Sequence, residues 1–414
     1  MFTLPVRCFV LRNRCASDGS SGKTSAKTPN VFSVFSQFVF TKYLRCMIIL
    51  SFYTSDVMLA SDIPDINIFT DHDYVDFRLL SGGYPLLEGR YYALNGKATV
   101  TDISSLVENY LAGNTDNPMA EFVVEASHDD DDELAEKEFT ALYCNVATGM
   151  SDPADWLRQN FLTLTKSRRI APDDFINLMW YASAKESLAF RVLATYSDPN
   201  GNRGTYSYIA SGNGIVASGG EVFSQYIYLD QVCDAIKSAT KLNSVTLLSV
   251  TAQCGDRLLT CFVDKSLADI VPFYYLNCFG VPEHISLPRT TTAKVKCDRS
   301  VATLSKTSQF YDVTTSKEYE VESGPLTADE CLQVEQMFTS PLVRVPLTFG
   351  GIIFETDFDA LYTILITDFT SELSDSDEKL NSVKFTWRYA DNRPKVNISE
   401  DGEIFTTEFN PTFN

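Results

Sequence analysis

Residues 323–341, SGPLTADECLQVEQMFTSP, predict one short helix in a chain that otherwise has the pattern of strands. Thr327 is a favourable N-cap residue, and Glu330 follows at the spacing of a capping box. Pro341 prevents the helix from continuing. One face is apolar, formed by Cys331, Val334, Met337 and Phe338, and the opposite face carries Asp329, Gln333 and Gln336. We expect the apolar face to cover the open end or edge of a sheet.

The clearest strand pattern lies downstream of this helix, at residues 383–389. Apolar and aromatic residues alternate there with polar ones, which is the period-two pattern of a half-buried strand. Residues 361–366 form a suitable partner strand. The chain also contains 28 Phe and 20 Tyr residues, and aromatic residues favour strands. The fold class predicted is mainly β, with tandem β-sandwich-like domains and a few short capped helices.

Upstream of the helix, one order of elements occurs twice. A strand, a helix capped by aspartate, a strand, a loop and a strand are predicted at 98–146 around Asp102, and again at 225–263 around Asp230. Residues 211–220 are rich in Gly and Ser and predict a boundary. We therefore expect a non-globular extension at 1–46, an N-terminal β-rich domain at 47–215 and C-terminal β-rich domains at 216–414.

The first 46 residues differ from the rest in charge. They hold seven basic residues and one acidic residue, a net charge of +6, whereas the whole chain carries −20, which leaves −26 for residues 47–414. Three interpretations are open: a targeting segment, a basic arm that binds a partner, or an extension upstream of a functional start at Met47. The abrupt start of the strand pattern at Met47 favours the third. No apolar run is long enough to span a membrane.

The sequence predicts no metal, cofactor or catalytic site. The acidic composition argues against nucleic-acid binding. The acidic run at 128–133, which begins at His128, lacks the spacing of a calcium loop and is typical of a solvated hairpin loop, although a bound cation stays an alternative. Glycines at 211–214 and 218–220 precede a strand rather than a phosphate-binding helix, which indicates a linker.

Cysteine and aromatic residues offer two further candidates. Seven cysteines beyond residue 47 lie mostly in apolar runs without tight spacing, which indicates reduced thiols and folding in the cytoplasm. Cys278 with His284 could form a dyad, although a buried structural thiol and a turn histidine are the favoured interpretation. A sugar-binding platform could use aromatic residues, although core packing is the favoured role for most of them; the candidates are Trp156, Trp180, Tyr274, Tyr275 and Phe279.

Several short phrases resemble uncharacterised β-rich proteins of phage-like loci in gut Bacteroidetes. They are YLNCFGVPE at 275–283, EVESGPLTADE at 320–330, FTSP at 338–341, the turn at Thr367 and Asp368, and WRYA at 387–390. The resemblance follows the order of segments over roughly residues 47–390. It implies a virion component associated with a tail or baseplate, and it brings no catalytic residues.

The leading functional prediction is a non-enzymatic structural protein that folds in the bacterial cytoplasm and assembles with copies of itself or with other virion proteins. Strand-rich, acidic chains present edge strands for such assembly. One alternative is a surface module at the cell surface that binds carbohydrate or protein. The other is a hydrolase with two carboxylates in a cleft, which would require perturbed carboxyl pKa values.

Overall fold

The computed structural model describes residues 48–391 apart from 53–54, 56, 113–116, 129–133, 151, 184–186, 211–214, 217–219, 269, 305–306, 347, 350–351, 354–357, 359–360 and 373–380, together with 397–398 and 404–405. The chain divides into the units Met1–Met47 and Ile48–Asn414. The predicted extension at 1–46, the acidic residues 129–133 and the glycines at 211–214 lie outside the described residues. Within those residues, no helix has the length and apolar character needed to cross a membrane.

The first lobe, residues 48–150, is a β-sandwich. Its elements are β1 Ile49–Ser51, β2 Met58–Leu59, β3 Ile66–Phe69, β4 Tyr74–Ser81, β5 Tyr84–Tyr92, β6 Lys97–Val100, α1 Ile103–Leu111, β7 Met119–Ser127 and β8 Ala135–Leu142. One sheet has the order β1-β3-β6, and the other has the order β2-β8-β7-β4-β5. Alternating apolar residues such as Ile68 and Phe77 meet between the two sheets in one core.

The second lobe, residues 152–268, repeats this design. Its elements are α2 Ala154–Gln159, β9 Ser167–Ile170, β10 Phe175–Ala182, β11 Ser187–Leu188, β12 Phe190–Ser197, β13 Arg203–Ile209, β14 Ile215–Val216, β15 Glu221–Tyr228, α3 Leu229–Thr240, β16 Thr246–Cys254 and β17 Arg257–Val263. The main sheet has the order β13-β12-β16-β17-β9, and β10 pairs with β15 in a second sheet.

The first two lobes share one topology. In each, a hairpin (β4–β5 or β12–β13) precedes a strand and a helix, a second hairpin follows, and the last strand is parallel to an early strand of the lobe. The predicted repetition of element order is therefore present. The aspartates differ from the prediction. Asp102 occupies the N-cap position of α1, but its side chain forms no cap hydrogen bond. The N-cap residue of α3 is Tyr228, and Asp230 lies in the first turn.

The predicted boundary between residues 215 and 216 requires correction. Strand β10 pairs along its whole length with β15, from Phe175 opposite Tyr228 to Ala182 opposite Glu221. Strand β12 likewise pairs with β16. Strands on both sides of the predicted boundary thus share one core, because the Gly- and Ser-rich segment connects strands within a lobe instead of separating domains.

The third lobe, residues 270–391, has one large antiparallel sheet. Its elements are β18 Phe273–Leu276, β19 Pro282–Ile285, β20 Arg289–Leu304, β21 Thr307–Ser323, α4 Ala328–Thr339, β22 Val343–Val345, β23 Thr348–Phe349, β24 Ile352–Ile353, β25 Tyr362–Glu372 and β26 Ser382–Tyr389; two further short strands are β27 Asn397–Ile398 and β28 Ile404–Phe405. Seven strands pair in the order β19-β18-β22-β25-β26-β21-β20.

The predicted helix and the predicted strand are both confirmed in this lobe. Helix α4 begins with the capping box of Thr327 and Glu330, and β26 buries Val383, Phe385 and Trp387 on one side. The apolar side of α4 packs in the same core as β18, β21 and β26, so the helix covers the face of the sheet and not its edge. The polar side is buried as well, which the sequence pattern did not predict.

The three lobes meet in one apolar cluster. It contains Val57, Leu59, Leu142 and Cys144 from the first lobe, Leu157, Leu162, Met179 and Tyr181 from the second, and Cys278, Phe279 and Val281 from the third. The segment 273–285, predicted as one broken strand, is a hairpin that enters this cluster. Gly280 at its turn has φ +71°, and a Cβ there would lie 2.9 Å from the ring of Tyr143, so only glycine fits without a shift.

Candidate interaction site

The hairpin of β20 and β21 extends far beyond the sheet that holds it. Strand β21 pairs with β26 only from Tyr319 to Glu322. From there to the tip, β20 and β21 pair with each other alone among the described residues. We call residues 293–318 the arm. The twelve residues Ala293–Leu304 of β20, at about 3.3 Å each, give the arm a length of roughly 40 Å.

The arm is open to solvent on both faces. Every residue from Thr291 to Arg299 is exposed. The exposed side chains include large apolar ones, since Val295, Val301 and Phe310 have exposed fractions of 64%, 55% and 58%. A two-stranded hairpin that buries no apolar face is at best marginally stable by itself. The arm therefore has the character of a segment that is completed by a partner.

The charge of the arm differs from that of the chain around it. It contains five basic residues, Lys294, Lys296, Arg299, Lys306 and Lys317, and three acidic residues, Asp298, Asp312 and Glu318, a net charge of +2. Residues 47–414 together carry −26. A basic projection on an acidic protein is suited to contact with an acidic or self-complementary surface.

Two charged residues hold the root of the arm, by which we mean residues 319–322 of β21, where the arm meets β26. Glu320 forms ion pairs with Lys294 and Lys384, and hydrogen bonds from both lysines lower its pKa to about 2. Arg289 donates from Nη2 to the carbonyl of Val271 at 2.6 Å and lies 4.5 Å from the ring centroid of Phe273. Burial lowers the pKa of Arg289 to about 10. The arm thus leaves the core from a fixed base.

Next to the arm's lobe, buried charges join the second and third lobes. Arg168 on β9 lies 2.8 Å from Glu283 on β19, and their side chains are only 6% and 2% exposed. Glu283 also accepts hydrogen bonds from Tyr275 Oη at 3.1 Å and from Asn277 Nδ2 at 2.6 Å. Burial is the largest single effect on the pKa of Arg168 and would lower it. The charge of Glu283 and its hydrogen bond, together with the nearby Tyr275 and Cys261, nevertheless raise that pKa overall. We call this group the joint.

The polar side of α4 forms a second connection beside the joint. Asp329 accepts hydrogen bonds from the backbone N–H and the hydroxyl of Ser167, at 2.8 and 2.6 Å. Glu330 receives two hydrogen bonds from the guanidinium of Arg169, at 2.5 and 2.9 Å. Glu330 also accepts from the backbone N–H of Thr327 at 2.7 Å. One carboxylate therefore serves both the capping box and the contact between lobes.

The suggested cysteine–histidine dyad is not formed. The Cys278 side chain is hydrogen-bonded to that of Cys144, and the Asn145 N–H donates to the Cys278 carbonyl at 3.0 Å. Burial and the hydrogen bond to Cys144 both raise the pKa of Cys278, the hydrogen bond more strongly. His284 instead has Nε2 3.0 Å from Asp174. Cys278 and His284 therefore face different neighbours.

The suggested sugar-binding platform is also overturned. Trp180, Tyr274, Tyr275 and Phe279 are all buried, and Trp156 stacks on Phe279 with ring centroids 5.2 Å apart. Trp180 lies in the core of the second lobe and Tyr275 in the core of the third, while Trp156 is partly buried against the cluster where the lobes meet. His128 is described, and its ring stacks on that of His72 at 4.1 Å; the rest of the acidic run is not described. No cluster of metal-binding side chains occurs in the described part of the chain.

The sequence carried a weak signal for the joint and a clearer one for the arm. Glu283 is the one acidic residue in the apolar segment 273–285, and a lone charge in such a segment usually has a buried partner. In the structure, the strands of the arm have 16 and 17 residues, more than the usual length of 3–10. The alternation of polar and apolar residues at 290–323 predicted exposed strands, but not that they leave the core.

No protein-family model and no curated protein matches the chain. Among solved structures, the chain is similar to one titled "Crystal structure of tetra-tandem repeat in extending region of large adhesion protein". The sequence identity is 12%, the match covers 67% of this chain and 69% of that chain, and the TM-score is 0.19. A score this low carries no argument, so the fold assignment given above depends on the strand pairing alone.

Proposed function

We propose that this protein is a non-enzymatic assembly component that binds protein partners through the arm. The arm carries the proposal: it is roughly 40 Å long, basic relative to its surroundings, and exposes apolar side chains on strands that pair with no other strand among the described residues. Strand addition to such an edge gives affinity through main-chain hydrogen bonds. The joint and α4 support the proposal because they fix the orientation of the lobe from which the arm projects.

The finer proposal places the protein in a phage-type particle, at the tail or baseplate. It is supported by the resemblance of the phrases at 275–283, 320–330 and 387–390 to proteins of phage-like loci. The two proposals are separable, because an arm that binds protein partners would also suit a component of a cell-surface assembly.

The test removes the arm and leaves its root. Replacing residues 297–315 by Asn-Gly connects Lys296 to its cross-strand partner Ser316 through a tight turn. We expect the intact full-length chain to run above its monomer mass in size-exclusion chromatography with light scattering. The shortened chain should run as a monomer with an unchanged melting temperature. A monomeric intact chain that mass spectrometry also fails to find in any purified particle would overturn the proposal.

A second candidate function is carbohydrate binding by the first lobe. Tyr84 and Tyr92 on the outer strand β5 are 77% and 75% exposed, and the Tyr74 ring lies 6.2 Å from that of Tyr92. Exposed aromatic rings of this kind stack on sugars. Binding on a glycan array that Tyr92→Ala abolishes and Tyr110→Ala preserves would favour this function, since Tyr110 packs against Phe122.

A further inference from the structure

We infer that strand β20 pairs with strand β20 of a second copy, antiparallel and about a two-fold axis at Cys297. This inference rests on the proposed assembly function and names its partner. Strand β20 ends the seven-stranded sheet and pairs with β21 alone among the described residues. Sixteen residues of exposed edge offer main-chain donors and acceptors to a strand of equal length.

Symmetry limits how two copies of β20 can pair. Residues that lie directly opposite each other in an antiparallel pair point to the same face of the sheet. A two-fold axis normal to the sheet must therefore pass midway between one residue and the same residue of the partner strand. With the axis at Cys297, Thr290 lies opposite the partner's Leu304, and all residues between them are paired. This position of the axis pairs residues 290–304 of both copies, which is nearly the whole length of β20.

Charge selects this register over its neighbours. With the axis at Cys297, Lys296 lies opposite the partner's Asp298, and the same pair occurs again on the other side of the axis. An axis at Lys294, Lys296, Asp298 or Arg299 would place a charge directly opposite its own copy, and an axis one residue before Lys296 would oppose Lys294 and Lys296. Like charges in opposite positions destabilise a sheet, whereas opposite charges stabilise it.

Lysine on an edge strand usually discourages pairing with other chains. Here Lys296 has the carboxylate of Glu318 at 2.7 Å within its own arm, while Asp298 forms no ion pair with a described residue. Pairing of two copies would place each Asp298 beside the partner's lysine. The charged side chains therefore favour the register with the axis at Cys297 over the registers with the axis at the residues next to it.

Pairing would also bring together the exposed apolar side chains of the arm. Val301 lies opposite Phe310 within one arm, on the same face of the hairpin as Val295 and Cys297. In the dimer, the partner's Ala293 would lie opposite Val301. One face of the four-stranded arm would then bring Val295, Cys297 and Val301 of both copies together, which a single arm leaves in water. Arg299 lies on the same face, opposite the partner's Val295, with its guanidinium over the ring of Phe310.

Oxidation of the thiols tests the register directly. Cys297 is exposed, so the two sulfur atoms would face each other at the axis. Copper(II)-phenanthroline accepts the two electrons, and the two thiols release two protons as the disulfide forms. We expect a covalent dimer of the full-length chain that Cys297→Ser abolishes. In the Cys297→Ser background, Ala293→Cys with Val301→Cys should restore the covalent dimer, whereas either substitution alone should not.

Exchange of charge tests the same register without chemistry on cysteine. Asp298→Lys should weaken the dimer about tenfold or more, because two ion pairs become two like-charge pairs. Adding Lys296→Glu should restore the wild-type dissociation constant in analytical ultracentrifugation. Melting temperatures of all variants check that the fold is retained.

The outcomes separate this inference from the proposed function. A covalent dimer that depends on Cys297, with restoration by the charge exchange, supports both. Assembly that needs the arm but shows neither result overturns the inference and leaves the proposed function intact, with a different protein as partner. Equal cross-linking in Asp298→Lys and in the wild type would indicate collision and would also overturn the inference. A chain whose mass never depends on the arm overturns both.

Discussion

The joint between the second and third lobes and the arm of the third lobe use the same types of residue in opposite environments. In the joint, Arg168 and Glu283 are almost fully buried, and Tyr275 and Asn277 each donate a further hydrogen bond to the carboxylate. In the arm, Lys296 and Glu318 form a pair that water can reach. The contrast indicates which charges hold the chain together and which are available to a partner.

The buried and the exposed ion pairs differ in how much they contribute to the free energy of unfolding. A buried ion pair loses its hydration, so each charge depends on the other and the pair tolerates little change. An exposed pair is screened and contributes little to stability. Stability of this protein should therefore depend on the joint and hardly at all on the arm, while association should depend on the arm.

The largest expected effect follows from removing one charge of the joint. Glu283→Gln leaves Arg168 buried without its counter-charge and should lower the free energy of unfolding by about 3–5 kcal/mol. The matched control Glu318→Gln should change it by no more than about 0.5 kcal/mol. Urea unfolding followed by tryptophan fluorescence measures both, since Trp180 lies in the core of the second lobe.

A double substitution sharpens this comparison. Arg168→Met with Glu283→Gln removes both charges, so it should recover part of the stability lost in Glu283→Gln alone. Equal losses for Glu283→Gln and Glu318→Gln would contradict the distinction between the joint and the arm.

Parts of the fold could be predicted because their causes are local in sequence. The capping box of Thr327 and Glu330 involves residues three apart, and the alternation at 383–389 follows from the period of a strand. The contacts of α4 with Ser167 and Arg169 could not be predicted in this way, because about 160 residues separate the two elements and no local pattern records which surfaces meet.

The same reason explains why the boundary was misplaced and why the sequence left two roles open for the aromatic residues. The segment at 211–220 has the composition of a linker, yet β10 and β15 on either side of it pair in one sheet. The aromatic residues of 273–285 have no signal that distinguishes a solvent-exposed ring from a ring buried by another lobe. The sequence therefore predicted the class of fold, whereas the arrangement of lobes, and with it the position of the arm, required the structure.

A smaller effect is expected at the cap of α4. Thr327→Ala removes the hydroxyl that accepts from the Glu330 N–H, and it should lower the free energy of unfolding by about 1 kcal/mol. Thr339→Ala at the other end of the helix is the matched control, with an expected change within about 0.5 kcal/mol. Arm-dependent association should be the same in both variants. A loss of association in Thr327→Ala without a loss of stability would show that α4 contributes to the interaction surface.

The smallest effect concerns the dependence of the arm's root on pH. Folding lowers the pKa of Glu320 from an ordinary value of 4.5 to about 2, because Lys294 and Lys384 donate hydrogen bonds to the ionised carboxylate. Between these two values the unfolded chain binds more protons at this site than the folded chain. The stabilisation is therefore fully present above about pH 4.5 and is lost as the pH falls towards 2.

Glu320→Gln removes this titration. Wild type should be the more stable protein at pH 6, and its advantage over Glu320→Gln should shrink steadily as the pH is lowered, as far as both remain folded. Lys384→Met removes one of the two hydrogen-bond donors and should give an intermediate dependence on pH. Amide hydrogen exchange of residues 319–322 reports the effect at the root itself. A difference between wild type and Glu320→Gln that is the same at pH 6 and pH 3 would mean that the lysines do not hold the carboxylate, and that the arm leaves the sheet from a looser base.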